Sequence, residues 1–166
     1  MGITWTTSVF RTPPGLLKIA EFILVMIVLF ITRFGHRGYA MMMFGGVDAN
    51  FLGNGTVVAY AIIVPAVLLS YMVGANLSIL ELFINLVGGI LYLAIGSVAI
   101  QTYSRYGYDN RMGSRDTIGI ALGSLAIITG ILFIIDFLFA FKNTFTFQNS
   151  RFSLFTYVQT QTRVVV

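Results

Sequence analysis

Four stretches of the chain are apolar for long enough to cross a bilayer, and the segments between them are short and more polar. A hydrocarbon core needs about 20 residues of helix. By that measure the pattern predicts spans at about 16–32, 57–73, 79–102 and 117–141. An N-terminal segment, 1–15, precedes them and a polar tail, 142–166, follows. The fold class is therefore an all-α membrane protein, a four-transmembrane-helix antiparallel bundle. Pro13-Pro14-Gly15 are expected to break the chain before the first span. Pro65 falls inside the second span and should kink it. The turn Gly74–Ser78 is too short for anything but an antiparallel hairpin. Loops are expected at Arg33–Thr56 and Tyr103–Asp116. The tail, rich in Thr, Gln and Phe, shows no clear helical period.

Two spans carry stripes of small residues. In the fourth, Gly119, Gly123, Ala126 and Gly130 follow at steps of four, three and four. In the third, Asn85, Gly89, Tyr92, Gly96 and Ala99 share one face at similar steps. Lipid tails are as apolar as leucine, so helices in a membrane associate by close packing, and small residues permit it. The two stripes are expected to meet, or to pack a neighbouring protein.

The charges inside the spans have a common height. Lys18 and Glu21 lie near the start of the first span, Glu81 and Asn85 near the start of the third, and Asp136 and Lys142 near the end of the fourth. Up-and-down threading brings all of these to the face that carries both termini. At about 1.5 Å per residue, Glu21 and Asp136 lie roughly 9 Å inside that end. A layer of three acids and two lysines admits two readings. One is a hydrogen-bonded ion-pair layer that locks helix register, with lysines snorkelling to the headgroups. The other is a cation or proton site. The midplane stays apolar, where a transporter would hold its substrate, and no inverted repeat is visible. That favours the register lock.

Composition agrees with the pattern and narrows the chemistry. The 166 residues are 57% hydrophobic and 10% charged, too few charges to cover a water-soluble surface. The net charge of +4 is weak evidence for nucleic acid in such a chain. Arginines mix with tyrosines in Tyr103–Asp116, but a short loop tied between spans suits an interface or a protein partner better. Cysteine is absent, which excludes disulfides and cysteine metal sites, and with them close kinship to claudins, tetraspanins and gap-junction proteins. His36 is the only histidine and has no co-ligand in sequence reach. No catalytic residue, cofactor or metal site is expected, and the chain is not read as an enzyme. Arg11, Lys18, Lys142, Arg151 and Arg163 on the terminal side balance Arg33, Arg37, Arg105, Arg111 and Arg115 on the loop side, so positive charge does not orient the protein. Three modification or docking motifs remain: Gly2 for myristoylation, although Ile3 and Trp5 are bulky for that site; sequons at Asn54 and Asn76, which lie so close to the spans that little or no modification is expected; and a valine-rich end with Val164 and Val166 that suits a PDZ groove.

ILELFINLVGGILYLAIGSVAI in the third span and GIALGSLAIITGILFIIDFLF in the fourth resemble an insect family of small tetraspan proteins, the Snakeskin-type proteins, within the looser MARVEL-like group. LLKIAEFILVMIVLFITRFG in the first span matches more loosely. The resemblance implies a multi-pass plasma-membrane protein of smooth septate junctions, with cytoplasmic termini, two extracellular loops and no catalytic activity. It implies other junction membrane proteins as partners. A homo-oligomer, a PDZ protein and the lipid bilayer itself are further candidates. Two alternatives stay open: a MARVEL-type trafficking or membrane-apposition protein, and a channel or transporter subunit using Glu21, Glu81 and Asp136.

Overall fold

The structure is a computed structural model. It describes the backbone of residues 13–35, 44, 46–74, 78–106 and 113–164, and the side chains of 14–35, 44, 46–74, 79–104 and 117–145. Four helices account for nearly all of it: α1 (Pro13–Phe34), α2 (Val47–Met72), α3 (Ser78–Tyr106) and α4 (Gly113–Val164). Each contains a segment long and apolar enough to span a membrane: Pro14–Phe34, Val47–Met72, Ile79–Ser104 and Thr117–Phe145. Among the described residues there is no strand.

Several ends differ from the sequence expectation, each for a local reason. Helix α1 begins on Pro13 rather than after the prolines. A proline lacks the N–H that a first turn leaves unpaired, and its fixed φ suits that position. Helix α2 starts at Val47, so the last part of the expected first loop, Val47–Thr56, is helix, including the sequon at Asn54. Asn50 makes this entry. Its Oδ1 accepts from the Phe44 N–H at 2.7 Å and its Nδ2 donates to the Gly46 carbonyl at 2.9 Å. The Phe44 ring, fully buried, packs against Gly53, where a Cβ would collide with it. Helix α2 then runs unbroken through Pro65. Helix α3 continues to Tyr106, shortening the second loop. Of the turn at 74–78, Gly74 adopts a positive φ of 77°, a conformation in which glycine carries no steric cost.

Helix α4 departs furthest. The tail expected to lack helical period continues the helix to Val164, giving 52 residues, or about 78 Å at 1.5 Å each. That exceeds a hydrocarbon core of about 30 Å more than twofold. Val166 and the myristoylation candidate Gly2 lie outside the described residues, as do His36 and the sequon residues Asn76 and Leu77.

The helices form a ring in which α1 touches α2 and α4, and α3 touches α2 and α4. The α3–α4 pair is the tightest. Gly96 faces Gly123 and Gly89 faces Gly130, an antiparallel register repeating every seven residues. A Cβ on Gly96 would lie 2.8 Å from the Gly123 carbonyl oxygen, and one on Gly123 would lie 2.9 Å from that of Gly96. A Cβ on Gly130 would lie 3.0 Å from the Gly89 oxygen. Ala99 and Ala126 are fully buried in the same stripes. Gly119 instead receives the ring of Tyr103. The backbones of the two stripes approach closely enough for dispersion and Cα–H···O contacts to hold them.

Candidate functional site: a buried polar layer

The helix ring closes around one lysine. Lys18 sits one turn into α1, where its side chain turns inward and is 2% exposed. Glu21 follows three residues on, on the same face, and its Oε2 accepts from Lys18 Nζ at 2.9 Å. From α3, Asn85 Oδ1 accepts a second bond from Nζ at 2.6 Å, and Glu81 Oε1 lies 3.6 Å away. From α4, Asp136 Oδ2 contacts Nζ at 2.5 Å and also accepts from Asn85 Nδ2 at 2.7 Å. From α2, the Tyr71 hydroxyl bonds Glu81. All four helices thus contribute to one network, and Lys18, Glu21, Asn85 and Asp136 are each at most 2% exposed.

The five residues singled out at one height come together as a cluster. Lys142 does not share their face. It is exposed, and six residues beyond Asp136 carries it about 240° round the helix. The layer therefore sets three carboxyl groups around a single buried ammonium. A primary ammonium has three N–H donors. Glu21, Asn85 and Asp136 lie at bonding distance, while Glu81, farther off, is also bonded by Tyr71.

A second layer lies deeper in the membrane and had no marker in the charge pattern. Tyr60 of α2, Tyr92 of α3 and Phe133 of α4 meet with ring centroids 5.2 to 5.7 Å apart. Tyr60 meets the other two edge to face, a geometry that suits the ring quadrupoles. The Tyr60 hydroxyl donates to the Ile84 carbonyl of α3 at 2.8 Å. Gly88 permits this approach, since a Cβ there would lie 2.5 Å from the Tyr60 ring. Buried Thr32 and Thr129 bond carbonyls one turn back in their own helices, at 2.8 and 2.7 Å. The bonds of Tyr60 and of the Lys18 layer thus cross between helices, while those of Thr32 and Thr129 stay within their own.

Among the described residues no group of His, Cys, Asp and Glu is arranged to hold a metal ion. The layer's chemistry is that of ion pairs, hydrogen bonds and protons.

No protein-family model matches the chain, and no solved structure matches it significantly. Two curated proteins do. The chain is 25% identical over 134 residues to Protein snakeskin of Drosophila melanogaster, covering 72% of this chain and 83% of that protein. It is 24% identical over 133 residues to Protein snakeskin of Bombyx mori, covering 72% of this chain and 85% of that protein.

Proposed function

We propose that this chain, Snakeskin-like and built of four membrane-spanning helices, is a structural component of an epithelial cell junction, where it supports the paracellular barrier of smooth septate junctions. The similarity to two Snakeskin proteins over 72% of the chain is the observation that carries this reading. The architecture supports it. The interior of the bundle is committed to cohesion, through the Gly96–Gly123 and Gly89–Gly130 approaches, the aromatic layer and the network around Lys18.

In this reading the protein sits in the plasma membrane with both termini in the cytoplasm. Its contact surfaces are then the α1–α2 and α3–α4 connections and the start of α2 on the extracellular side. There Val47 and Phe51, one turn apart, are 77% and 85% exposed. Helix α2, at 26 residues or about 39 Å, is longer than a hydrocarbon core of about 30 Å, and apolar side chains on a projecting first turn suit association with another junction membrane protein, or with a second copy of this chain. A PDZ partner at Val164 and Val166 requires the last turn of α4 to unwind, because strand addition takes an extended peptide. The chain carries out no catalysis and binds no nucleic acid in this account.

Imaging the endogenous protein in epithelium, beside a dye-leak assay after depletion, tests the proposal. Lateral junctional staining with leak supports it. Staining of intracellular vesicles with an intact barrier overturns it in favour of a trafficking role.

A further inference from the structure

Two of the carboxyl groups on Lys18 are left chemically incomplete. Glu21 Oε2 and Asp136 Oδ2 both lie on Nζ, so the two groups converge from α1 and α4. The two contacts with that one nitrogen, 2.9 and 2.5 Å long, hold the carboxyls side by side. Each has a second oxygen, Glu21 Oε1 and Asp136 Oδ1, that is fully buried and has no hydrogen-bond partner among the described residues. An ionised carboxylate only accepts hydrogen bonds, so two of them in contact offer acceptors and no donor. They also repel, in surroundings where charge is poorly screened. With three carboxylates ionised around one ammonium the buried layer would carry a formal charge of −2.

We infer that the Glu21–Asp136 pair is a proton-binding site, holding one proton between the two carboxyls and thereby joining α1 to α4. The proton supplies the missing donor, removes the repulsion and brings the layer to −1. The remaining charged and titratable groups facing the pair are Lys18 on α1, Tyr60 and Tyr71 on α2, and Glu81 on α3, with neutral Asn85 beside it. Lys18 holds Glu21 Oε2 and Asp136 Oδ2, and Tyr71 donates to Glu81, so neither provides a donor to Glu21 Oε1 or Asp136 Oδ1. The bound ligand is a solvent proton, and it makes this end of the bundle responsive to pH. The assembled bundle binds one proton more than the unfolded chain, in which both acids ionise independently at neutral pH. By linkage, stability is then greatest on the acid side of neutrality. It falls by about tenfold in the folding constant per pH unit while the bundle keeps the proton that the unfolded acids have lost, and levels off once the pair empties.

Infrared spectroscopy of the full chain in lipid nanodiscs tests the site, with circular dichroism to establish that each sample is folded. At neutral pH the folded native chain should show one protonated carboxyl C=O stretch per molecule, and alkaline buffer should remove it. Glu21→Gln and Asp136→Asn each replace the shared proton with an amide donor. Each should abolish the band and flatten the pH dependence of unfolding, while Glu81→Gln should keep both. If only one of the two replacements folds, its spectrum decides. Absence of the band from the folded native chain overturns the inference, as does its persistence in a folded Glu21→Gln or Asp136→Asn chain. A melting temperature raised by sodium over a bulky organic cation at fixed pH, and no longer raised in Glu21→Gln, would assign the site to a metal cation instead.

Discussion

Gly96→Ala is the smallest change that tests the α3–α4 contact. The added Cβ would lie 2.8 Å from the Gly123 carbonyl oxygen and 2.9 Å from the Ile127 backbone nitrogen. Ordinary contact begins at 3.4 Å, so the oxygen must retreat by 3.4 − 2.8 = 0.6 Å. Both obstacles are backbone, so the retreat moves a helix rather than a rotamer. The same movement loosens Gly89 against Gly130, seven residues away. Overpacking of this kind costs about 1–3 kcal/mol. Replacing a helical glycine by alanine returns up to about 1 kcal/mol of backbone propensity. With the full return, the net expectation is a loss of about 0–2 kcal/mol, up to roughly 30-fold in the folding constant. One control carries the same chemical change in open space. A Cβ on Gly55 meets nothing within 4 Å, so Gly55→Ala should stabilise by about 1 kcal/mol or less. Unfolding of each chain in mixed micelles with increasing dodecyl sulfate, followed by circular dichroism, gives the order. Gly96→Ala equal to or more stable than Gly55→Ala would refute the close backbone contact.

Lys18→Met leaves three buried acids without their cation and should destabilise the bundle by about 3–5 kcal/mol in the same assay. Adding Glu21→Gln and Asp136→Leu to it removes two of the three acids and should recover part of that loss, since replacing buried ionic groups by neutral ones is often tolerated. Tyr60→Phe keeps the ring and loses only the bond to Ile84, and should cost about 0.6 kcal/mol, the average for an interhelical hydrogen bond in a membrane. Phe51→Glu alters a side chain that is 85% exposed, so the chain should fold and reach the cell surface normally. If the start of α2 is a junction contact, this variant should nonetheless fail to seal the barrier in a dye-exclusion assay.

What could be read from the residues alone follows from what a membrane demands. The spans are evident because each must be about 20 residues of unbroken apolar helix. The pairing of α3 with α4 is evident because Gly96 and Gly123 belong to stripes that repeat at helical steps. The height of the Lys18 layer follows from threading four spans up and down. Helix ends were hidden because they depend on local polar bonds. Val47–Thr56 looks like loop, with Asp48, Asn50, Asn54 and two glycines, yet Asn50 supplies the bonds that start a helix there. The extension of α4 to Val164 was hidden because its Thr and Gln residues leave no apolar period to detect. The Tyr60–Tyr92–Phe133 layer was hidden because three helices contribute one ring each. The one usable signal was Tyr92, which shares a face with Gly89 and Gly96. Tyr71 was likewise silent, lying near the end of α2 among apolar neighbours.

The account places cohesion inside the bundle and contact outside it, in the service of a junction. Paracellular dye flux across an epithelium depleted of the endogenous protein, then resupplied with the native chain or with Lys18→Met, measures this most directly. The account predicts leak after depletion, full exclusion with the native chain, and continued leak with Lys18→Met, which fails to assemble at lateral contacts. An epithelium that stays sealed without the protein, or that Lys18→Met reseals as well as the native chain does, would contradict it.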